Sequence, residues 1–313
     1  MPKDVPTNYL SKVQKPADFD AFWDAVKRQE TAIALEPEVV LDPLRTSPDI
    51  EVFQVFYNSI DQVRIAAWYC RPAQRAERTP AILLLPGYQM DPPIPKDWAR
   101  KGYIALSVAP RGKLRSTRQY NPGYPNLLTH NIVDPHTYAY RGFYVDAWRG
   151  VDFLRAQPEV DSDRIGVTGS SQGGGLTIIT AAMQPDVRAA AAGCPYLCGY
   201  MDSIELTQTY PYEEINDYLR QYPERRQAVT DTVAYFDGIN FADRITCPII
   251  VNIGLQDNVC PPETGYALFN RIGSADKKLY PYDGHGHDAG RMAHDAVVSA
   301  FFAHHLKSEE STP

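Results

Sequence analysis

From about residue 80 onward the chain alternates between nearly continuous apolar runs and amphipathic helical stretches, and this alternation limits the fold more than any other feature. TPAILLLPGY and YIALSVAPRGK carry few polar residues, as strands buried on both faces require. VDAWRGVDFLRAQ reads as a helix, and DRIGVTGSSQ, VRAAAAGCPYL, CPIIVNIGLQD and KKLYPYDG read as further strands. Such alternation predicts an α/β fold, a doubly wound domain around a mostly parallel sheet. Upstream, Phe19, Phe22, Trp23 and Val26 recur at helical spacing within residues 17–30, which predicts an amphipathic helix. EVFQVFYNS and QVRIAAWYCRP, separated by a short polar turn, predict an antiparallel hairpin. The expected organisation is one domain over 1–313, with a helical extension over 1–48. Residues 199–240 break the alternation: they are polar, tyrosine-rich and helical in character, and lie between two strands. An insertion there sits at the carboxyl ends of the strands, where open α/β sheets hold their sites, so it is expected to act as a lid.

The strand ending in IGVTG and the helix LTIITAAM flank Gly169-Ser170-Ser171-Gln172-Gly173. Read as G-x-S-x-G, the central residue is Ser171, not Ser170. A sharp strand-to-helix turn leaves no room for a β-carbon on either side of a strained serine, which explains the glycines. The helix N-terminus then lies beneath the hydroxyl, where developing negative charge is favoured. The competing reading is a tight turn with a capping serine, and the pentapeptide alone does not exclude it.

A nucleophilic hydroxyl needs a base, and the base an orienting acid, in the chain order Ser, Asp, His for this topology. Asp257 follows the apolar strand PIIVNIGL. After KKLYPY comes Asp283-Gly284-His285-Gly286-His287-Asp288. His285, between two glycines near the strand end, is the expected base, with His287 as the alternative. An oxyanion hole requires two preorganised N–H donors. The backbone of Gln172 should supply one, and that of Tyr88, in LLLPGYQ, the other.

A net charge of −7 argues against a nucleic-acid partner. No run reaches the ~18 apolar residues of a membrane span, and MPKDVPTNYLSKVQKP has no apolar leader core. The five cysteines (Cys70, Cys194, Cys198, Cys247, Cys260) form a sparse odd set, read as free thiols in a reducing, cytoplasmic setting. Cys194 and Cys198 lack a Cys/His set with zinc-ligand spacing, so no metal is expected, and a serine nucleophile with its own base needs no organic cofactor.

Together these motifs resemble the acetyl xylan esterase / cephalosporin C deacetylase family of α/β-hydrolases. The likeness runs from PADFDAFWDAV through LPGY, APRGK, VDPHTYAYRGFYVDAWRGVDFL, GSSQGGG, CPYLC and YPYEEINDYL to GLQDNVCPPET and YPYDGH. It implies a serine esterase that removes acetyl groups from small acetylated sugars and from cephalosporin C. Ser171 would be nucleophile, Asp257 acid and His285 base, with Tyr88 and Gln172 as oxyanion donors. Arg111 and Gly112 match the first two residues of the family's Arg-Gly-Gln motif, and Lys113 replaces its glutamine. Arg111, Tyr196 and Tyr212 are the expected substrate-pocket residues. The family's histidine is followed by glutamate, a pair that His287-Asp288 mimics, whereas spacing from YPY favours His285. The resemblance further implies a homo-oligomer, in the family a ring-shaped hexamer, although the loop between Arg111 and Asp134 looks shorter than the family's.

Overall fold

Residues 6–307 are described by a computed structural model. The first five residues, on which the expectation of a leaderless start partly rests, and the last six lie outside the described residues. Helix α1 (Phe19–Thr31) buries Phe19, Phe22, Trp23 and Val26 as their spacing predicts. The Trp23 indole N–H, donating to the Tyr235 carbonyl at 2.8 Å, fastens the helix to a segment more than 200 residues away in sequence. Strands β1 (Glu38–Leu41), β2 (Ile50–Asn58) and β3 (Arg64–Pro72) are antiparallel. The hairpin is therefore present, but the expected helical extension over 1–48 is corrected at its end: residues 38–41 are a sheet edge.

The rest of the chain alternates. It runs β4 (Thr79–Leu85), α2 (Lys96–Arg100), β5 (Ile104–Ala109), α3 (Ala139–Arg155), β6 (Val160–Ser170), α4 (Gln172–Met183) and β7 (Val187–Gly193). The segment after β7 holds α5 (Tyr200–Leu206), α6 (Glu213–Gln221), α7 (Arg226–Ala234) and α8 (Gly238–Phe241). Then come β8 (Ile249–Gly254), α9 (Pro262–Arg271), β9 (Lys277–Tyr282) and α10 (Arg291–Leu306). The strand order is β1-β2-β3-β5-β4-β6-β7-β8-β9, with β3 antiparallel to β2 and β5 and parallel pairing from β5 to β9. This is an α/β-hydrolase fold.

Successive residues of a strand face opposite sides, so the apolar runs feed two cores. Leu83 joins the large cluster shared with Trp23, Trp148 and Leu176, while its neighbour Ile82 joins Phe302 and Leu306 of α10. Every residue of β5 and of β8 is buried, which is why those segments carry no alternation in sequence. From β4 the chain steps to β5 on one side and later to β6 on the other, so the order reverses between β4 and β6. A crevice at the carboxyl ends of the strands is expected at such a reversal. Tyr88 follows β4 and Ser171 follows β6.

Candidate active site

Ser171 lies between β6 and α4, at the N-cap of α4, with φ 59° and ψ −121°, a conformation that costs on the order of 1–3 kcal/mol for a residue with a β-carbon. Close packing imposes it. A β-carbon on Gly169 would lie 2.5 Å from the Leu85 carbonyl oxygen, and one on Gly173 2.1 Å from the same atom. These two glycines let the end of β4 press directly against the turn. The Ser171 N–H donates to Gly193 at 2.9 Å, and its carbonyl accepts from Gly175 and Tyr196, both at 3.0 Å, so the end of β7, the segment after it and α4 together hold the strained geometry. Gln172 is the first residue of α4, and a backbone N–H there has no acceptor within the helix. The Gln172 side chain is fully buried and donates to the Tyr140 hydroxyl at 2.7 Å, which anchors that peptide.

Asp257 follows β8, as the sequence suggested, and is 6% exposed. Its Oδ1 accepts from the backbone of Val259 (2.8 Å) and Cys260 (2.9 Å), which leaves Oδ2 for one partner. That partner is His287, whose Nδ1 lies 2.8 Å from Oδ2. The expectation for His285 is thus corrected: its Nδ1 pairs instead with Asp288 Oδ2 at 2.7 Å. The reason is the direction of the ring. The His285 carbonyl already accepts from the Gln256 N–H at 2.9 Å beside the end of β8, but its ring turns to Asp288, and it is His287, two residues on, whose ring meets Asp257. Gly254 at the end of β8 admits the returning loop, since a β-carbon there would meet the Gly286 carbonyl oxygen at 1.9 Å. Asn252 Nδ2 donating to the Ala289 carbonyl (2.7 Å) and the Cys194 thiol donating to the His287 carbonyl (3.2 Å) pin the loop down.

Two buried thiols border this arrangement. Cys260 lies between Asp257, whose Oδ1 accepts from its N–H, and the Ser171 side chain, next to both the turn after β6 and the acid after β8. Cys194 brings a sulfur within 4.8 Å of ligand atoms of Asp257 and His287, a proximity the cysteine spacing did not reveal. Burial pushes the Cys194 thiol up to about 12, so it stands as a neutral donor beside the pair.

Tyr88 is buried and its hydroxyl donates to Glu214 Oε1 at 2.7 Å while accepting from the Leu128 N–H at 3.1 Å. Glu214, on α6, also accepts from the Asn126 N–H at 2.9 Å. Nothing in the stretch YPYEEINDYL marked Glu214 as the residue that meets Tyr88. Lys113, noticed only as a departure from a motif, bonds through Nζ to the carbonyls of Gly87 and Tyr88.

The remaining pocket residues are corrected as well. Arg111 is 3% exposed and spent: Nε and the backbone N–H each donate to Asp146 Oδ2 at 2.8 Å, Nη1 to Asp61 at 3.1 Å, and Nη2 to the Ile60 carbonyl and Asp146 Oδ1. Asp146 itself lies fully buried in α3. Arg111 therefore clamps α3 to the end of β5 and offers a substrate nothing. Tyr212 is fully buried, its hydroxyl accepting from Leu197 (3.1 Å) and Cys198 (3.3 Å). Tyr196 is fully buried too, its ring 4.5 Å from that of Tyr212 and 6.0 Å from that of Tyr88. Tyr212 thus packs on Tyr196, which packs on Tyr88, and neither buried ring has surface open to a ligand. Arg111→Met is expected to cost about 3–5 kcal/mol by stranding the Asp146 carboxylate. Urea unfolding reads that loss, and KM of the folded fraction should stay unchanged; a raised KM at full stability would restore Arg111 to the pocket.

Three comparisons bear on this geometry. Residues 1–306 match the family model of the acetyl xylan esterases, AXE1. The chain belongs to the acetyl xylan esterase family. It is a carboxylic ester hydrolase. An acetyl xylan esterase from Paenibacillus sp. R4 superposes with TM-score 0.90 at 33% identity, over 96% of this chain and 98% of that one. Acetyl xylan esterase 1 from Thermoanaerobacterium sp. JW/SL YS485 superposes with TM-score 0.87 at 28% identity, over the same shares. The acetyl esterase Axe7A of Xylanibacter ruminicola is 29% identical over 85% of this chain, which spans 62% of the length of Axe7A. Among the described residues no helix is long and apolar enough to cross a membrane.

Proposed function

We propose that this member of the acetyl xylan esterase family is a serine acetylesterase for small acetylated saccharides, with Ser171, His287 and Asp257 as its triad. The observation that carries the reading is the Asp257–His287 hydrogen bond at the carboxyl end of the sheet that also presents the strained Ser171. Asp257 Oδ2 accepts from Nδ1–H and fixes the imidazole tautomer, so Nε2 is the basic nitrogen. Ser171 Oγ attacks the acetyl carbonyl and passes its proton to Nε2. The carbonyl oxygen, now an anion, is held by the backbone N–H groups of Gln172 and Tyr88, with the α4 N-terminus below it. Collapse breaks the ester bond, and the departing sugar hydroxyl takes the proton from His287. Water then attacks the acetyl-serine, gives a proton to Nε2, and acetate leaves as that proton returns to Ser171.

The closed floor under Tyr88, formed by the buried rings of Tyr196 and Tyr212, supports a small acyl pocket. Each surplus methylene in a fixed pocket costs ~1–3 kcal/mol, roughly 5- to 150-fold. Acetate esters should therefore exceed butyrate esters by at least roughly tenfold in kcat/KM, the lower part of that range. A 4-nitrophenyl ester series, with acetylated xylose and cephalosporin C as trial substrates, measures this, and a butyrate preference would remove the acetyl assignment. The helices between β7 and β8 would act as the lid, and the five free cysteines support a reducing, cytoplasmic setting. A homo-oligomer is part of the same proposal: the edge strand β1 exposes Val39, Val40 and Leu41. Light scattering giving a monomer near the 35.1 kDa chain mass would remove it.

A further inference from the structure

Lys113 stands where the resemblance leads one to expect glutamine, and its side chain is 2% exposed. A buried ammonium needs partners, and this one has two carbonyls. Its Nζ lies 2.5 Å from the Gly87 oxygen and also bonds to that of Tyr88. The Gly87–Tyr88 peptide is trans, since the cis bonds among the described residues are Tyr124–Pro125 and Tyr210–Pro211. In a trans peptide the C=O and the N–H point in opposite directions across one rigid plane. Holding the Gly87 oxygen therefore aims the Tyr88 N–H the other way. The loop that carries this peptide begins at Leu85, whose carbonyl abuts Gly169 and Gly173 of the Ser171 turn.

We infer that Lys113 is a positioning residue: by gripping the Gly87 and Tyr88 carbonyls its ammonium orients the Tyr88 N–H toward the developing oxyanion and polarises it as a donor. This rests on the acyl-transfer reading proposed above. A cation on the carbonyl of a peptide strengthens the hydrogen bond its N–H can give, because bonds in series polarise one another. A neutral amine could still donate to both oxygens, but charge-assisted bonds are roughly twice as strong.

The grip is linked to protons. Burial pulls the Lys113 ammonium down to about 7, opposed by the charge of Asp91. The other groups facing it are few. Asp91 is shared with Arg115, and burial raises its carboxyl. The Tyr124 ring lies 5.2 Å from Nζ with its phenol raised by burial, and the Tyr88 hydroxyl is committed to Glu214. Arg111, two residues away, is committed to Asp146. As pH rises through about 7 the charge on Lys113 is lost, so the polarisation, and kcat with it, should fall. Stability moves the opposite way. Between about 7 and the ordinary lysine value of 10.5 the unfolded chain binds more protons at this site, so the contribution of Lys113 to folding rises with pH. A role confined to folding would not lower kcat in that window.

The test compares wild type, Lys113→Met and Lys113→Gln with 4-nitrophenyl acetate across about pH 5.5–9, alongside labelling of each by a 4-nitrophenyl phosphonate. Loss of one oxyanion donor costs about 10²–10³ in kcat, so Lys113→Met, which misaims that donor, should lose roughly 10- to 100-fold in kcat with KM nearly unchanged. Lys113→Gln, which keeps neutral donors, should recover most of kcat and lose the decline above about pH 7. Wild-type kcat in Lys113→Met would overturn the inference, and so would an alkaline decline that survives in Lys113→Gln. Should Lys113→Met fail to fold, the glutamine variant decides through its pH profile alone. Phosphonate labelling of wild-type Ser171 keeps the two readings apart. With labelling present and kcat indifferent to Lys113, the inference alone falls; with Ser171 unlabelled, the acyl-transfer reading falls and takes the inference with it.

Discussion

Ser171→Ala is expected to abolish hydrolysis of acetate esters, with a fall in kcat of roughly 10⁶, whereas Ser170→Ala keeps most of the activity. The two hydroxyls differ in setting rather than chemistry. Ser170 is the last residue of β6 and is exposed, near the Cys194 thiol. Ser171 occupies the strained turn with the α4 N-terminus beneath it and sits against Cys260, whose own backbone N–H holds Asp257. Only Ser171 has an adjacent N–H, that of Gln172, to receive the charge that its attack creates. Steady-state assays of both variants, with phosphonate labelling followed by mass spectrometry of the modified peptide, read the outcome. Similar activity in the two variants, or label on Ser170, would overturn this register of the motif.

His287→Ala should be nearly as damaging, with a loss of about 10⁴–10⁶ in kcat, while His285→Ala should retain most activity. His287 alone of the two meets Asp257, and a base without its orienting carboxylate spends little time in the productive tautomer. His285 is tied to Asp288, whose other oxygen accepts from the Gly286 N–H at 3.1 Å, so this pair shapes the loop rather than the chemistry. Some loss from loop loosening is therefore expected in His285→Ala, and it should appear in thermal stability as well as in rate. A dead His285 variant beside an active His287 variant would return the base to the position that strand spacing suggested.

The contrast between these histidines marks how far the sequence could be read. The parallel strands were legible because burial on both faces removes polar residues from whole segments, as in β5 and β8. β1 was not, because its four residues are all exposed and no buried face imprints a pattern on EVVL. Ser171 and Asp257 were legible because each comes straight off a strand end, where sequence position and spatial position coincide. The proposed base lies in a loop that must cross between strands. Which histidine reaches Asp257 depends on Gly254, which makes room for the backbone of His285 and Gly286, and no spacing along the chain reports that contact. Arg111 was misread for a related reason. Its motif suggested a pocket, but its partner Asp146 lies 35 residues on, inside α3, where only the fold reveals that the pair is buried. Lys113 stood out as a departure, yet the carbonyls it grips lie 25 and 26 residues back, beyond any local pattern.

Glu214 joins three stretches of chain that are far apart in sequence: α6, the loop after β4 through the Tyr88 hydroxyl, and the segment around Asn126 through its N–H. An outward swing of α6 would therefore strip Tyr88 of its acceptor at the moment a large substrate needed space. On the proposed chemistry, a guest that enters by prising this helix away meets a site whose oxyanion loop has gone slack. Oversized esters would then bind and turn over slowly, so that selection by size falls on kcat more than on KM. A single buried carboxylate would make the enzyme's gate and its electrostatics one mechanical unit.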